Sequence, residues 1–262
     1  FGRIAAQNAK QVVVQRIREA ERGMVFEKFS SRENDIVTGI IQRMENKNVY
    51  IDLGKAEAIL TPNEQIPGEI YQYHDRMKTY IVEVKKTSKG PQIMVSRTHP
   101  GLLKRLFELE VPEIHDGLVE IKSVAREPGM RSKISVYTKD ENIDPVGACV
   151  GHKGMRVQTI VNELRGEKID IVKYSSEPDQ YVANALSPAK VVSTEVLEEE
   201  KICRVIVPDY QLSLAIGKEG QNARLAAKLT GWKIDIKSES QAAEEAEQGA
   251  QEVGVAYEAD ED

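Results

Sequence analysis

The chain has 262 residues, of which 40% are apolar and 5% aromatic, and its formal net charge at pH 7 is −6. This length allows one large domain or two to three small ones, each with a hydrophobic core. The longest apolar runs are far shorter than a membrane span and no signal-peptide pattern is present, so we expect a cytoplasmic, monomeric protein without membrane attachment.

Side chains that commonly carry catalysis or hold metals are scattered in this sequence. The two cysteines, Cys149 and Cys203, stand alone in apolar runs without the spacing of a zinc site, and we expect both to be buried. Neither a P-loop nor an HExxH pattern occurs. The sequence therefore predicts a protein that is not an enzyme and needs neither a cofactor nor a metal.

Residues 3–29 have the periodicity of one amphipathic helix. At spacings of three and four residues, its apolar seam runs through Ala6, Ala9, Val13, Ile17, Ala20 and Met24. Such a seam must pack on something. Because the chain begins with Phe1 rather than Met, we expect it to be a fragment or a processed product.

Residues 32–99 change to short apolar runs with polar turns, which predict five strands in a small closed antiparallel barrel. The stretches VTGIIQRMENKNVYIDLGKAEAILTPNEQI and IMVSRTHP resemble the S1 motif, a subclass of the OB-fold. This resemblance implies a face that binds single-stranded nucleic acid. Its candidate residues are Tyr50, Tyr73, His74, Arg76, Lys78 and Tyr80.

Residues 100–177 and 178–240 form an internal repeat with the predicted order helix, strand, strand, helix, helix, strand. The stretch KIDI occurs in both copies, at 168–171 and 233–236, and a Gly-x-x-Gly turn precedes it in each. Because the stretch at 186–190 is short, we expect the two copies to pack rigidly. The repetition makes it improbable that the two Gly-x-x-Gly turns arose by chance.

Gly-x-x-Gly between two helices reverses the chain sharply and brings bare backbone close to a ligand. The dipole at the start of the following helix favours a phosphate there. Apolar residues beside each turn, among them Leu225, would wall a groove that admits the bases of a single strand. The first copy's candidate RNA-binding residues are Val150, Gly151, His152, Lys153, Gly154, Met155, Arg156 and Lys168. The second copy's are Ile216, Gly217, Lys218, Glu219, Gly220, Gln221, Asn222, Arg224 and Lys233.

The repeats resemble type II KH domains, whose RNA-contacting loop corresponds to the two Gly-x-x-Gly turns. Glu219 departs from that pattern, because it brings a carboxylate to the loop where phosphate should approach. The fold class predicted for the whole chain is multidomain α+β. It comprises an N-terminal helix, a five-stranded antiparallel OB-fold barrel of the S1 type, and two tandem type II KH domains with the order αββααβ.

The order of these modules, together with the stretch RIAAQNAKQV near the start, resembles the bacterial NusA family of transcription termination and antitermination factors. The resemblance covers residues 1 to about 240, and it implies that residues 1–31 are the end of a truncated N-terminal domain that binds polymerase. It implies binding to nascent single-stranded RNA, partnership with RNA polymerase, mainly through the missing N-terminal part, and with other antitermination factors. It also implies modulation of pausing, intrinsic termination and antitermination.

Two other functions fit the same modules. One is the RNA-binding part of an RNA-processing enzyme, although S1 precedes KH here, whereas the phosphorolytic exoribonucleases are expected to have the reverse order. The other is a module for ribosome assembly or RNA chaperoning. Residues 241–262 contain eight acids and no Lys or Arg, which predicts a disordered acidic tail that could compete with RNA for the basic grooves.

Overall fold

The computed structural model describes residues 2–259, with side chains as far as residue 252. The chain forms two compact units: the first runs as far as Glu110 and includes Thr159–Glu167, and the second comprises Val111–Gln158 and the chain from Lys168 onward. Each unit has its own hydrophobic core. Among residues 2–259, none of the helices has the combination of length and apolar character that crossing a lipid bilayer demands.

Helix α1, Gly2–Ser30, confirms the predicted N-terminal helix. Its last turn is anchored in the first unit, where Phe29 is 2% exposed and lies in the barrel core. The predicted apolar seam is in solvent instead, since Val13 is 56% and Met24 is 71% exposed. The described part of the chain therefore leaves this seam uncovered, although an apolar stripe of this kind normally packs on another structure.

Five strands of the first unit form a closed barrel in the order β1-β2-β3-β5-β4. They are β1 Ile36–Glu45, β2 Asn48–Asp52, β3 Glu57–Leu60, β4 Arg76–Thr87 and β5 Gly90–Ser96. Alternate residues point inward, as the burial pattern of β2 illustrates. The prediction of a wholly antiparallel barrel is wrong, because β3 and β5 pair in parallel. A closed ring with an odd number of strands cannot alternate direction all the way round, so at least one pair must be parallel.

A buried arginine holds three segments of the first unit together. Arg97 follows β5 and has a side chain that is 0% exposed. Its guanidinium donates to both carboxylate oxygens of Glu69, at 2.9 and 2.8 Å. It also donates to the backbone carbonyls of Lys78 and Glu163. Full pairing of this kind is what allows a charged group to stay buried.

The two repeats have the same order of elements, except that the first has an additional short helix, α3, before its strands. In the first they are α2 Pro100–Glu110, α3 Pro112–His115, β6 Glu120–Glu127, β7 Arg131–Tyr137, α4 Pro145–Val150, α5 Met155–Glu163 and β8 Lys168–Lys173. In the second they are α6 Pro178–Ala185, β9 Ser193–Leu197, β10 Ile202–Val207, α7 Leu212–Ile216, α8 Gln221–Thr230 and β11 Lys233–Ser238. Each sheet pairs its first two strands antiparallel and its last two parallel.

One hydrophobic core in the second unit takes residues from both repeats. Ala125 and Val172 of the first sheet belong to the same cluster as Val182, Leu186 and Leu225 of the second repeat. The phenol of Tyr181 adds a polar link by donating to the hydroxyl of Ser135 at 2.8 Å. The two copies therefore pack against each other, and the rigidity of this packing stays a prediction.

A carboxylate of the first repeat also binds the second. Glu127, at the end of β6, accepts hydrogen bonds from Arg224 Nε at 2.6 Å and from Gln221 Nε2 at 2.7 Å. Both donors lie in α8. The hydrogen bond from Arg224 is the main reason that the pKa of Glu127 lies below its ordinary value. Ionised Glu127 therefore stabilises the contact between the repeats.

The segment after the second repeat differs from its prediction. A disordered tail is predicted for residues 241–262, but residues 239–259 form helix α9, Glu239–Ala259; residues 260–262 lie outside the described residues. The segment is rich in Ala, Glu and Gln, which have high intrinsic helix propensity. Its start is anchored, because Lys237 bonds Glu245 at 2.6 Å and the backbone N–H of Ser240 donates to Asp209.

The ion pair between the repeats should appear in the pH dependence of stability. The folded-state pKa of Glu127 lies below the unfolded-state value, so the unfolded state binds more protons between the two values. The contribution of ionised Glu127 to the free energy of unfolding is therefore complete above its unfolded-state pKa, and it is lost as the pH falls through its folded-state pKa. We expect Glu127→Gln to be less stable than the parent at pH 7, and the difference to shrink as the pH falls below the unfolded pKa and through the folded pKa of Glu127.

Urea unfolding followed by the fluorescence of Trp232, the sole tryptophan, tests this prediction because the indole packs on the shared core. Glu199→Gln is the matched control, since Glu199 is exposed on the turn between β9 and β10. A difference between Glu127→Gln and the parent that is the same at every pH would contradict the prediction.

Candidate nucleic-acid interface

The two Gly-x-x-Gly turns have nearly identical backbone conformations. Gly151 has φ 77° and ψ 174°, and Gly217 has φ 78° and ψ 170°. The third position is left-handed in both, at φ 51° and ψ 30° in Lys153 and φ 55° and ψ 27° in Glu219. The last glycines have φ 73° and 74°. We call these turns the first loop, residues 151–154, and the second loop, residues 217–220.

The first glycine of each loop is required by close packing. A Cβ added to Gly217 would lie 2.7 Å from the backbone nitrogen of Asn222, and one added to Gly151 would lie 2.6 Å from Arg156 Cγ. The helix after the loop therefore begins against the bare glycine backbone. A side chain at this position would push the two helices apart.

The last glycine of each loop has a different role. A Cβ added to Gly154 would meet nothing within 4 Å, so this glycine is required only by its positive φ. The backbone here faces open space at the N-terminus of α5, and Gly220 precedes α8 in the same way. Exposed backbone at the positive end of a helix is a suitable place for a phosphate oxygen.

The two loops differ in the basic side chains that they expose. His152 and Lys153 are exposed in the first loop, whereas the second presents Lys218 beside the carboxylate of Glu219. Lys168 and Lys233 are exposed at equivalent positions, at the starts of β8 and β11. Each copy thus combines a bare turn with positively charged side chains.

The position two residues after each loop serves packing in both copies. Arg156 donates to the carboxylate of Glu113 at 2.8 Å and to the carbonyl of Ala148 at 2.7 Å. Asn222 is 2% exposed, and its amide donates to the carbonyls of Leu186 and Ala215 at 3.0 Å each. Both side chains fasten the short helix before the loop to the helix after it.

The second loop is also tied to the first repeat. Arg224, which binds Glu127, donates through Nη1 to the backbone carbonyl of Glu219 at 3.1 Å. Gln221 binds the same glutamate. Two side chains predicted to bind RNA therefore have protein partners in this structure, and the link from Glu127 to Glu219 supports the loop at its third residue.

The predicted apolar walls are only partly at the surface. Met155 is 65% and Ile216 is 37% exposed, and Val150 is half-buried beside the first loop. Leu225 is 0% exposed and belongs to the shared core, so the expectation that it walls the groove is wrong. Leu225 lies on the side of α8 that packs into the shared core, not on the side next to the loop.

The residues predicted for the barrel face are in different environments. Tyr73 is 66% exposed, its ring centroid is 3.7 Å from that of His74, and Arg76 is exposed nearby in sequence. Tyr50 is half-buried on β2, 4.2 Å beneath the guanidinium of Arg43. Lys78 is half-buried in β4.

Tyr80 is instead a packing residue of the first unit. Its side chain is 6% exposed, its ring stacks on His99 at 4.4 Å, and its hydroxyl bonds Asn34 at 3.1 Å. Burial raises its pKa. Such a phenol has no free ring face to offer a base.

The described residues contain no group of three or more His, Cys, Asp or Glu side chains that could hold a metal ion. Both cysteines are 0% exposed, and burial raises the pKa of the Cys149 thiol to about 12. A thiol with this pKa is protonated at neutral pH and is a poor nucleophile or metal ligand.

Successive parts of the chain match four domain families. Residues 1–23 match the NusA N-terminal domain, 30–96 the S1 RNA binding domain, 97–174 the NusA-like first KH domain and 178–244 the NusA-like second KH domain. The N-terminal, S1 and tandem KH domains expected from the sequence are therefore confirmed.

Three relatives carry the same name, transcription termination/antitermination protein NusA. The chain is 72% identical to that of Halalkalibacterium halodurans and 71% to that of Bacillus subtilis, over 93% of its length in each case. It spans 64% and 66% of those two proteins. It is 51% identical to the protein of Mycobacterium tuberculosis, covering 92% of this chain and 72% of that relative. The chain therefore belongs to the NusA family of transcription termination/antitermination proteins.

Proposed function

We propose that this chain binds single-stranded RNA through its two Gly-x-x-Gly loops and its barrel. The observation that carries the proposal is the near identity of the two loops in backbone torsions, together with their open last glycines. Two turns in one chain that retain the same strained torsions and the same bare surface favour a shared ligand. A phosphodiester backbone has the charge and the small oxygens that such a surface suits.

Each loop would hold a phosphate between its backbone and the N-terminus of the following helix. Lys153 would add positive charge in the first copy and Lys218 in the second, while Lys168 and Lys233 would attract neighbouring phosphates. The ring of His152 would donate a hydrogen bond to a phosphate oxygen. Bases would then enter the groove beside Met155 or Ile216, with their edges available to backbone groups. Arg156, Asn222, Gln221 and Arg224 would act by positioning these elements, because each already has a protein partner.

Several weak sites on one chain would combine through effective concentration. On the barrel we assign RNA contact to Tyr73, His74 and Arg76, with Tyr50 and Lys78 at the edge of the surface. We do not assign RNA contact to Tyr80, which supports this surface by packing beneath it. The positive charge at these sites is modest, so RNA affinity should fall less steeply with salt concentration than it does for a strongly basic RNA-binding protein.

We further propose that the RNA is nascent and that the intact protein acts with RNA polymerase and other antitermination factors to modulate pausing, intrinsic termination and antitermination. The names of the relatives support this proposal over RNA processing or ribosome assembly. In this account the protein is a cytoplasmic, monomeric regulator rather than an enzyme.

A charge placed at the last glycine of each loop tests RNA binding with little steric disturbance. We expect Gly154→Asp combined with Gly220→Asp to lower affinity for single-stranded RNA by about tenfold or more, because the carboxylates would repel phosphate. Asp tolerates positive φ better than most residues. Fluorescence anisotropy with a labelled oligonucleotide measures the loss, and thermal unfolding checks the fold.

Gly117→Asp combined with Gly231→Asp is the matched control. These glycines have φ 80° and 77°, and a Cβ added to either meets nothing within 4 Å. The control should bind RNA within about twofold of the parent. Equal loss in the two double variants, or no loss in either, would contradict the assignment of the loops.

Reversing the charge at the third loop position should lower RNA affinity in the first copy and raise it in the second. We expect Lys153→Glu to weaken RNA binding by about threefold or more and Glu219→Lys to strengthen it, because both residues share one left-handed conformation at the loop. Lys201→Glu is the control, since Lys201 is also exposed, with φ 52°, but lies in the turn between β9 and β10. If Lys153→Glu weakens binding no more than Lys201→Glu does, the first loop does not hold phosphate.

A further inference from the structure

The first repeat contains a pocket of about 310 Å³ that belongs to neither of the two loops. It lies where β7 and β8 end, and the turn between β7 and α4 forms much of its wall. Tyr137, at the end of β7, and Tyr174, just after β8, give it an aromatic surface. A pocket of this volume suits one small ligand rather than a long chain. We call it the tyrosine pocket.

The tyrosine pocket is separate from the first loop, although both adjoin α4. Pro145, the first residue of α4, lines the pocket, whereas the loop follows Val150, the last residue of α4. Six helical residues span about 9 Å. Tyr137 also shares a face of the sheet with Ser135, two residues earlier, whose hydroxyl accepts the hydrogen bond from Tyr181 of the second repeat. The pocket is therefore distinct from the groove predicted beside the loop.

The two aromatic rings of the pocket are held by other side chains. Tyr137 and Tyr174 meet edge to face with their centroids 5.7 Å apart, and Tyr174 meets Tyr181 in the same manner at 4.9 Å. The ammonium group of Lys122 lies 5.0 Å from the ring centroid of Tyr137 and 5.3 Å from that of Tyr174. Lys122 does not line the pocket, so the pocket side of the rings stays open. Rings that are already ordered lose little entropy when a flat ligand packs on them.

The turn after β7 is ordered by its own hydrogen bonds. The hydroxyl of Thr138 donates to the carbonyl of Leu118 at 2.8 Å and accepts from the backbone N–H of Asp140 at 3.2 Å. The carboxylate of Asp140 accepts from the backbone N–H of Asn142 at 2.9 Å. Both the rings and the turn are thus in place, and the pocket needs no ligand to form.

The charges around the pocket are balanced. Lys139 and Lys173 bring two ammonium groups, and Asp140 and Glu141 bring two carboxylates. Within the part of the chain that the structure describes, no ion pair engages Lys139, Lys173 or Glu141. A plain polyanion would be attracted by the lysines but repelled by the carboxylates. A ligand that carries both an anionic group and hydrogen-bond donors would satisfy all four side chains.

A nucleotide has the groups that this pocket can hold. Its base can pack on the two tyrosine rings, and its phosphate can reach Lys139 or Lys173. An amino group on the base can donate to a carboxylate, as the amino group of cytosine does to Glu or Asp in nucleic-acid complexes. An acidic peptide lacks the flat donor-bearing ring, and a sugar lacks the charge.

We propose that the tyrosine pocket binds a single nucleotide whose base carries an exocyclic amino group, as adenine does. The same chemistry would recognise a free nucleotide or one nucleotide of an RNA strand. The inference goes beyond the proposed function, because it uses neither the two loops nor the barrel and adds a preference for the base.

Titration of the full chain with adenosine monophosphate tests the inference through the amide NMR signals of Tyr137, Thr138 and Tyr174. We expect these signals to shift and to approach saturation by about 10 mM nucleotide. Lys139→Gln combined with Lys173→Gln should weaken binding by about fivefold or more, because the phosphate loses its cations. Lys190→Gln combined with Lys201→Gln removes the same charge from exposed positions of the second unit and should change binding by less than about twofold.

Inosine monophosphate tests the contact with the base. It carries a carbonyl oxygen where adenosine monophosphate carries the amino group, so the carboxylates would meet an acceptor in place of a donor. We expect it to bind the parent about threefold or more weakly than adenosine monophosphate does. Glu141→Gln should narrow this difference, because the amide of glutamine can donate to the carbonyl.

Three results would overturn the inference. They are unmoved signals of the three pocket residues at about 10 mM nucleotide, an equal loss of affinity in the two double lysine variants, and equal affinities of the parent for the two nucleotides. Each would leave the proposed function standing, because the aspartate variants of Gly154 and Gly220 test the loops independently.

Oligoadenylate of about eight nucleotides distinguishes the two sources of the nucleotide. If the pocket takes one nucleotide of a strand that the first loop also holds, the oligonucleotide will shift the pocket signals at lower concentration than adenosine monophosphate does. Gly154→Asp will then remove that advantage. If the pocket takes a free nucleotide, the oligonucleotide will leave the pocket signals unmoved while adenosine monophosphate still shifts them.

Discussion

In each repeat, the helix after the loop begins against the backbone of the loop's first glycine. An added Cβ at Gly217 would stand 2.7 Å from the nitrogen of Asn222, which is closer than packed atoms approach. This contact fixes the angle between the two short helices, and with it the left-handed residue and the open glycine that follow. The presentation of backbone and helix dipole to a ligand depends on this one close approach.

Duplication then produced two sites with different surroundings. Lys133 and Arg204 occupy the same register position in the two sheets, opposite Asp170 and Asp235. Lys133 is buried by the second repeat and donates to Asp170 and to the carbonyl of Ser187, whereas the Arg204 side chain is 54% exposed. Burial lowers the pKa of Lys133. The face of the first sheet that carries Lys133 is thus internal, whereas the equivalent position in the second sheet is exposed.

Local patterns predicted much of the fold, because they depend on neighbours in sequence. The helical period predicted α1, turn residues predicted the strand ends, and the repeated glycines predicted the two loops. Partners far apart in sequence were not predictable in this way. Glu113 binds Arg156 from 43 residues away and Glu127 binds Arg224 from 97 residues away, so two arginines predicted to meet RNA are already paired. Residues 239–259 form a helix rather than the predicted disordered tail, because Ala, Glu and Gln favour a helix whatever the net charge of the segment.

Both loops should hold the RNA backbone in the same way, and the amide NMR signals of Gly154 and Gly220 test this most directly. Titration of the labelled chain with single-stranded RNA, and then with an uncharged-backbone analogue of the same bases, should be followed by NMR. The account predicts that both amides shift with RNA and that neither shifts with the analogue. Unmoved glycine amides at saturating RNA, or equal shifts with both ligands, would contradict it.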